Sequence, residues 1–216
     1  MEAAIPKQYL PLAGHTVIEQ TLYTLLSCSH INAVVVIISS ADSWWEKLRL
    51  AAAKPMLQVL GGEERCHSVL KGLQALREWA DPDDWVLVHD AVRPCLRTED
   101  LDRLIATLAD DPVGGLLAMP VWDTMKQSDG TGRVTATVDR TALWHAMTPQ
   151  MFRLGILITA LSGVLKRQLL VTDEAAAMEA MGFAPRLVEG HADNIKITRP
   201  EDLALAEFYL ARMRTQ

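Results

Sequence analysis

The chain has 216 residues, half of them hydrophobic, which suits one compact domain with a full core. Its 21 basic and 27 acidic residues leave a net charge of −6, disfavouring a broad nucleic-acid surface, which would need clustered Lys and Arg. A mean hydropathy of +0.10 and apolar runs such as Val34 to Ile38, far short of the roughly 20 residues that cross a bilayer, argue against a membrane protein.

No basic, signal-like stretch opens the chain, so a soluble cytoplasmic protein is expected. Three cysteines without CxxC spacing and six scattered histidines without an HExxH pair suggest neither a disulfide framework nor a transition-metal site.

In chain order, Thr16-Val17-Ile18-Glu19 reads as a capping box opening an amphipathic helix with Leu22, Leu25 and Leu26 inward. A buried strand follows over Ala33 to Ile38, then a helix near Ser43 to Ala53, a strand at Leu57 to Leu60, and a helix carrying Val69, Leu70, Leu73 and Leu76. Trp85 begins a further apolar strand that runs to Asp90. Thr98-Glu99-Asp100-Leu101 reads as a cap for the next helix, and Gly115 to Val121 as a strand. Between Trp122 and Arg140 the pattern alternates around Ser128-Asp129-Gly130-Thr131-Gly132, as in an antiparallel hairpin inserted into an α/β series. Thr172-Asp173-Glu174 starts a short helix stopped by Gly182, and Thr198-Arg199-Pro200-Glu201 caps a last helix through Arg212. The alternation predicts an α/β fold with a doubly wound, mostly parallel sheet over residues 1–216, the arm lying at about 122–140.

Asp90 is the leading functional candidate. Ligands bind at the carboxyl ends of strands in such sheets, and an acid delivered there can hold a metal ion or a sugar hydroxyl; a turn or N-cap role is the plainer alternative. Arg93 follows three residues later, either functional or paired with an acid beneath the sheet.

Further motifs accompany it: Pro6-Lys7-Gln8-Tyr9-Leu10, Gly61-Gly62-Glu63-Glu64-Arg65 with Ser68, Val138-Asp139-Arg140 through Thr148-Pro149-Gln150, and Asp193-Asn194-Ile195-Lys196. In this order, over essentially the whole chain, they make the sequence resemble the 2-C-methyl-D-erythritol 4-phosphate cytidylyltransferases of the non-mevalonate isoprenoid pathway. The resemblance implies cytidylyl transfer from CTP to that sugar-alcohol phosphate, with Mg²⁺. It implies that Lys7 stabilises charge on the α-phosphate, and that Arg140 and Lys196 position the acceptor, Arg140 from the arm into a partner's site in a homodimer. It further places Gly61, Gly62, Glu63, Ser68, Asp90 and Ala91 at the nucleotide, Asp90 at the metal, and Thr124 and Thr148 at the acceptor; Glu63 stands where many relatives have aspartate.

The resemblance also implies a strand and a glycine-rich phosphate loop before Pro6, so the natural protein is expected to extend upstream of Met1. Without that central strand, two neighbouring Val/Ile-rich strands are expected to have unpaired backbone groups, each costing about 1–3 kcal/mol when buried. Two alternatives follow: a cytidylyltransferase for another polyol phosphate such as ribitol 5-phosphate, or a non-catalytic dimerising fragment.

Overall fold

The computed structural model describes residues 5–48, 50 and 54–215. A short antiparallel pair, β1 (Pro11–Leu12) and β2 (His15–Thr16), leads into α1 (Val17–Ser27). The capping box there is complete: Thr16 N–H donates to the Glu19 carboxylate at 2.7 Å and Glu19 N–H to Thr16 Oγ1 at 3.4 Å. β3 (Val34–Ile38), β4 (Met56–Leu60), α2 (Arg65–Leu76), β5 (Trp85–Val88), α3 (Thr98–Leu108) and β6 (Gly114–Pro120) follow. The inserted hairpin is β7 (Met125–Ser128) and β8 (Val134–Val138); then come β9 (Trp144–Arg153), α4 (Leu154–Lys166), α5 (Glu174–Glu179), β10 (Arg186–Glu189) and α6 (Glu201–Met213).

Four strands pair in the order β10-β6-β9-β5, with β10 parallel to β6 and β9 antiparallel to both of its neighbours. Side-chain alternation with a period of two covers both faces. Val86, Leu116 and Phe152 face α2, α4 and α5, while Leu87, Leu117 and Met151 face α3. β3 and β4 form a separate parallel pair, with Val36 and Ile38 of β3 against α1. A cleft of about 690 Å³ lies between β3 and β5, and no strand bridges them among the described residues.

Three local expectations need correction. Instead of a helix from Ser43, the Asp42 carboxylate accepts from Trp44 and Trp45 N–H at 2.9 Å each and winds a single 3-10 turn, Trp45–Lys47; Arg49 and residues 51–53 of the expected helix lie outside the described residues. Thr98 does not cap α3: it is the first helical residue, Arg97 holds the cap position without a side-chain hydrogen bond, and the Asp100 carboxylate is turned to His191 and Arg103. At α6 it is Asp202, not Thr198, that closes the entry, its carboxylate accepting from Thr198 N–H, Thr198 Oγ1 and Arg199 N–H.

Candidate active site

β5 ends at Val88, and the next residues turn across the sheet edge with Asp90 nearly enclosed, its side chain 12 % exposed. Thr148 holds that turn from β9. Asp90 N–H donates to Thr148 Oγ1 at 3.1 Å, and Thr148 Oγ1 lies 3.0 Å from His89 Nδ1. His89 Nε2 lies 3.2 Å from the Arg93 carbonyl. A neutral imidazole with its proton on Nε2 satisfies both contacts: Nε2 donates to the carbonyl and Nδ1 accepts from the threonine. Burial lowers the His89 pKa to about 4 against weaker opposing contacts from Arg93 and Asp90, so the ring is neutral at physiological pH.

Asp193 to Lys196 lie alongside this turn. Ile197 N–H donates to the Val92 carbonyl at 2.9 Å, Asn194 Nδ2 to the Thr148 carbonyl at 2.8 Å, and an Arg93 guanidinium nitrogen to the Asn194 carbonyl at 2.6 Å. Asp193 is tied to Arg97. The ladder brings Lys196 Nζ to 2.8 Å from Asp90 Oδ2, where Arg93 Nε also stands at 3.6 Å. Arg93 therefore pairs with the site acid itself.

A third cation arrives from the glycine turn. Arg65 grips Glu174 at 2.7 and 2.9 Å with two nitrogens and reaches Asp90 Oδ1 at 3.4 Å. Burial disfavours the Arg65 charge, but the hydrogen bonds and charges of Glu174 and Asp90 outweigh it and hold the guanidinium protonated. Burial likewise works to raise the Asp90 carboxyl; the Lys196 hydrogen bond and the charges of Arg65, Lys196 and Arg93 prevail and hold it below the ordinary carboxylate range.

Gly61 and Gly62 leave β4 in a turn closed by Ser68, whose Oγ accepts from Gly62 N–H at 2.9 Å. The glycines are needed for space. A Cβ on Gly61 would stand 2.8 Å from Ser68 Oγ, and one on Gly62 would stand 2.5 Å from His67 Cβ.

The structure thus gathers Asp90, Thr148 and Lys196, joins them through Arg65 to the Gly61, Gly62 and Ser68 turn, and leaves Ala91 exposed with its carbonyl accepting from Thr21 Oγ1 at 3.0 Å. Lys7 begins a 3-10 turn, half-buried, and makes no ion pair among the described residues. Glu63 is exposed, and Thr124 and Arg140 lie exposed at the two ends of the hairpin, outside the Asp90 network. Arg65, His89, Asn194 and Glu174 are the participants that sequence reasoning passed over. Arg65 and Asn194 stood inside recognised motifs, whereas Glu174 was legible only as an acid in a first helical turn.

This constellation can bind anions: a glycine turn for close backbone approach, and three cations around one carboxylate, suit a phosphorylated substrate. A family model described as 2-C-methyl-D-erythritol 4-phosphate cytidylyltransferase matches residues 1–212. A protein of that name from Pseudomonas aeruginosa is 55 % identical over 204 residues, covering 94 % of this chain and 87 % of its own. Its counterpart from Aliivibrio fischeri is 48 % identical over all 216 residues and 90 % of its own length. The crystal structure of the Francisella tularensis enzyme superposes with a TM-score of 0.85 at 35 % identity, covering 95 % of this chain and 93 % of that one. The chain belongs to the 2-C-methyl-D-erythritol 4-phosphate cytidylyltransferase family.

Proposed function

We infer that this chain joins CTP to 2-C-methyl-D-erythritol 4-phosphate, giving 4-diphosphocytidyl-2-C-methyl-D-erythritol and pyrophosphate in isoprenoid precursor synthesis. The convergence of Lys196, Arg93 and Arg65 on Asp90 at a strand end, in a chain of this family, carries the inference. An acceptor phosphate oxygen attacks the α-phosphorus of CTP, the new P–O bond forms as the bond to the β-phosphate oxygen breaks, and pyrophosphate leaves with the electron pair. The nucleophile is already ionised at neutral pH, so the enzyme's task is positioning and charge neutralisation, with no general base.

In this proposal Lys7 neutralises charge growing on the α-phosphate, and Lys196 and Arg140 orient the acceptor phosphate. Gly61, Gly62, Glu63, Ser68 and Ala91 line the nucleotide, and Thr124 meets the acceptor. Thr148, already engaged by His89 and Asp90, contributes by holding the turn in place. Asp90 would be the residue to hold Mg²⁺: Lys196 occupies its Oδ2 at 2.8 Å, whereas the cation at Oδ1, Arg65, stands off at 3.4 Å. When bound, the ion supplies further neutralisation of phosphate charge.

A homodimer through the hairpin completes the proposal. Trp122 and Val134, 68 % and 63 % exposed, are apolar surface that a partner subunit would cover, and Arg140 then acts in the partner's site. A cytoplasmic location, where CTP is at hand, is part of this proposal; no described helix is long and apolar enough to cross a membrane.

The deciding experiment is pyrophosphate release by the purified chain with CTP and either 2-C-methyl-D-erythritol 4-phosphate or ribitol 5-phosphate. Preference for the first is expected. A higher kcat/KM with ribitol 5-phosphate would overturn the assignment.

A further inference from the structure

At the start of α2, on the outer side of the glycine turn, three side chains of different chemistry meet outside the Asp90 network. Cys66 Sγ stands 3.8 Å from Glu64 Oε2 and 3.8 Å from His67 Nδ1, and one ligand atom from each of the three lies within 4.8 Å of the others. Tetrahedral zinc with a Zn–S bond of about 2.3 Å and Zn–N and Zn–O bonds of about 2.0–2.2 Å separates sulfur from its nitrogen or oxygen neighbour by about 3.6 Å. Both sulfur distances, 3.8 Å, come close to that separation. Glu64 holds the N-cap position of α2 without its carboxylate capping the helix, and it is exposed, while Cys66 and His67 are half-buried. The carboxylate is therefore open to an ion. Arg65 lies between these residues in sequence but directs its guanidinium to Glu174 and Asp90, and Lys71 gives its ammonium to the Gly61 carbonyl at 2.9 Å.

We propose that Glu64, Cys66 and His67 form a zinc site, with water as the fourth ligand. A thiolate and an imidazole beside one carboxylate select a borderline-soft ion over the hard Mg²⁺ of nucleotide chemistry. The site also has a mechanical consequence. His67 packs where any Cβ on Gly62 would stand, so an ion held by His67 braces the outer wall of the glycine turn.

The test uses the full chain without a polyhistidine tag, stripped with EDTA and then titrated with Zn²⁺ by calorimetry and with Co²⁺ by absorption spectroscopy. One equivalent of Zn²⁺ is expected, with a thiolate-to-Co²⁺ charge-transfer band in the near ultraviolet. Cys66→Ser should abolish the band, and Cys66→Ser, His67→Ala and Glu64→Gln should each weaken Zn²⁺ binding by roughly tenfold or more. Cys28 and Cys95 are buried and should leave the Co²⁺ spectrum unchanged when replaced by serine. The absence of a thiolate band from the wild-type Co²⁺ spectrum, which depends on no variant folding, overturns the proposal. Unchanged Zn²⁺ affinity in both Cys66→Ser and His67→Ala does so equally.

Discussion

Asp90 is a carboxylate facing three cations, and the balance among them sets what each substitution does. Lys196 is 40 % exposed, so its pair with Asp90 contributes little to stability, but its ammonium is the mobile charge closest to the strand end. Lys196→Ala is expected to lower kcat/KM by about 10²-fold, with a urea midpoint close to that of the wild type. Steady-state rates beside equilibrium unfolding check both halves. Loss of activity that follows loss of fold would remove Lys196 from the chemistry.

His89 makes the same turn sensitive to acid. Unfolded, its ring takes up a proton near pH 6.5; folded, only near pH 4, so between those values the unfolded chain binds more protons and stability falls as pH drops. Stability is therefore complete above about pH 6.5 and should decrease by roughly 2–3 kcal/mol on the way to pH 4. Asp90, whose folded pKa is depressed, adds its own loss only at still lower pH. Urea unfolding at a series of pH values measures the slope, and His89→Gln should flatten it. A wild-type curve level between pH 6.5 and pH 4 would contradict the buried neutral ring.

At the scale of elements, α5 and α2 are fastened by the two-point contact between Glu174 and Arg65, which also aims Arg65 at Asp90. Glu174 is buried while Arg65 is about one-third exposed, so removing the charge leaves a partly solvated cation. Glu174→Gln is expected to destabilise by about 1–2 kcal/mol, lowering Tm by roughly 2–6 °C in a differential scanning measurement. An unchanged Tm would mean that the pair is not a structural clamp.

Most of these elements were legible from periodicity and caps, but the β1–β2 pair, β9, α4 and β10 were not. Pro149 interrupts the β9 pattern, and proline within a run argues against a strand. The structure accommodates it where the β6–β9 ladder shifts register between Leu116 and Ala118, opposite the stretch from Ala146 to Gln150, so the missing N–H breaks no regular rung. The region of α4 carries Gly155 and Gly163 in a broadly apolar run, which shows no clear polar face. The zinc ligands also escaped notice, because Glu64, Cys66 and His67 match no spacing rule and converge only through the first turn of a helix.

At the scale of the whole molecule, the proposed homodimer would bring Arg140 of the exposed hairpin to the enclosed Asp90 cluster of a partner chain. An Arg140→Ala chain and a Lys196→Ala chain, each with little activity alone, should together recover about one quarter of wild-type activity: half the mixed dimers pair unlike chains, and each of those holds one intact site. Subunit mixing followed by rate measurement decides this. No recovery, with mixed dimers present, would place Arg140 in the site of its own chain.

The order of motifs along the chain was enough to identify the family, and the chemistry followed from that resemblance, since glycine turns and isolated Lys and Arg residues are individually unspecific. The strand leading to Asp90 and the helix opened by Thr16 and Glu19 were likewise set by local rules of burial and capping. Which residues touch Asp90 depended on tertiary structure: Arg65 and Lys196 lie 25 and 106 positions from it in sequence, and backbone hydrogen bonds between the Val92 and Ile197 segments, not local pattern, bring one of them into reach. Side-chain contacts made across such distances carry no periodicity of their own, so the charge balance at the site emerges only when the chain is folded.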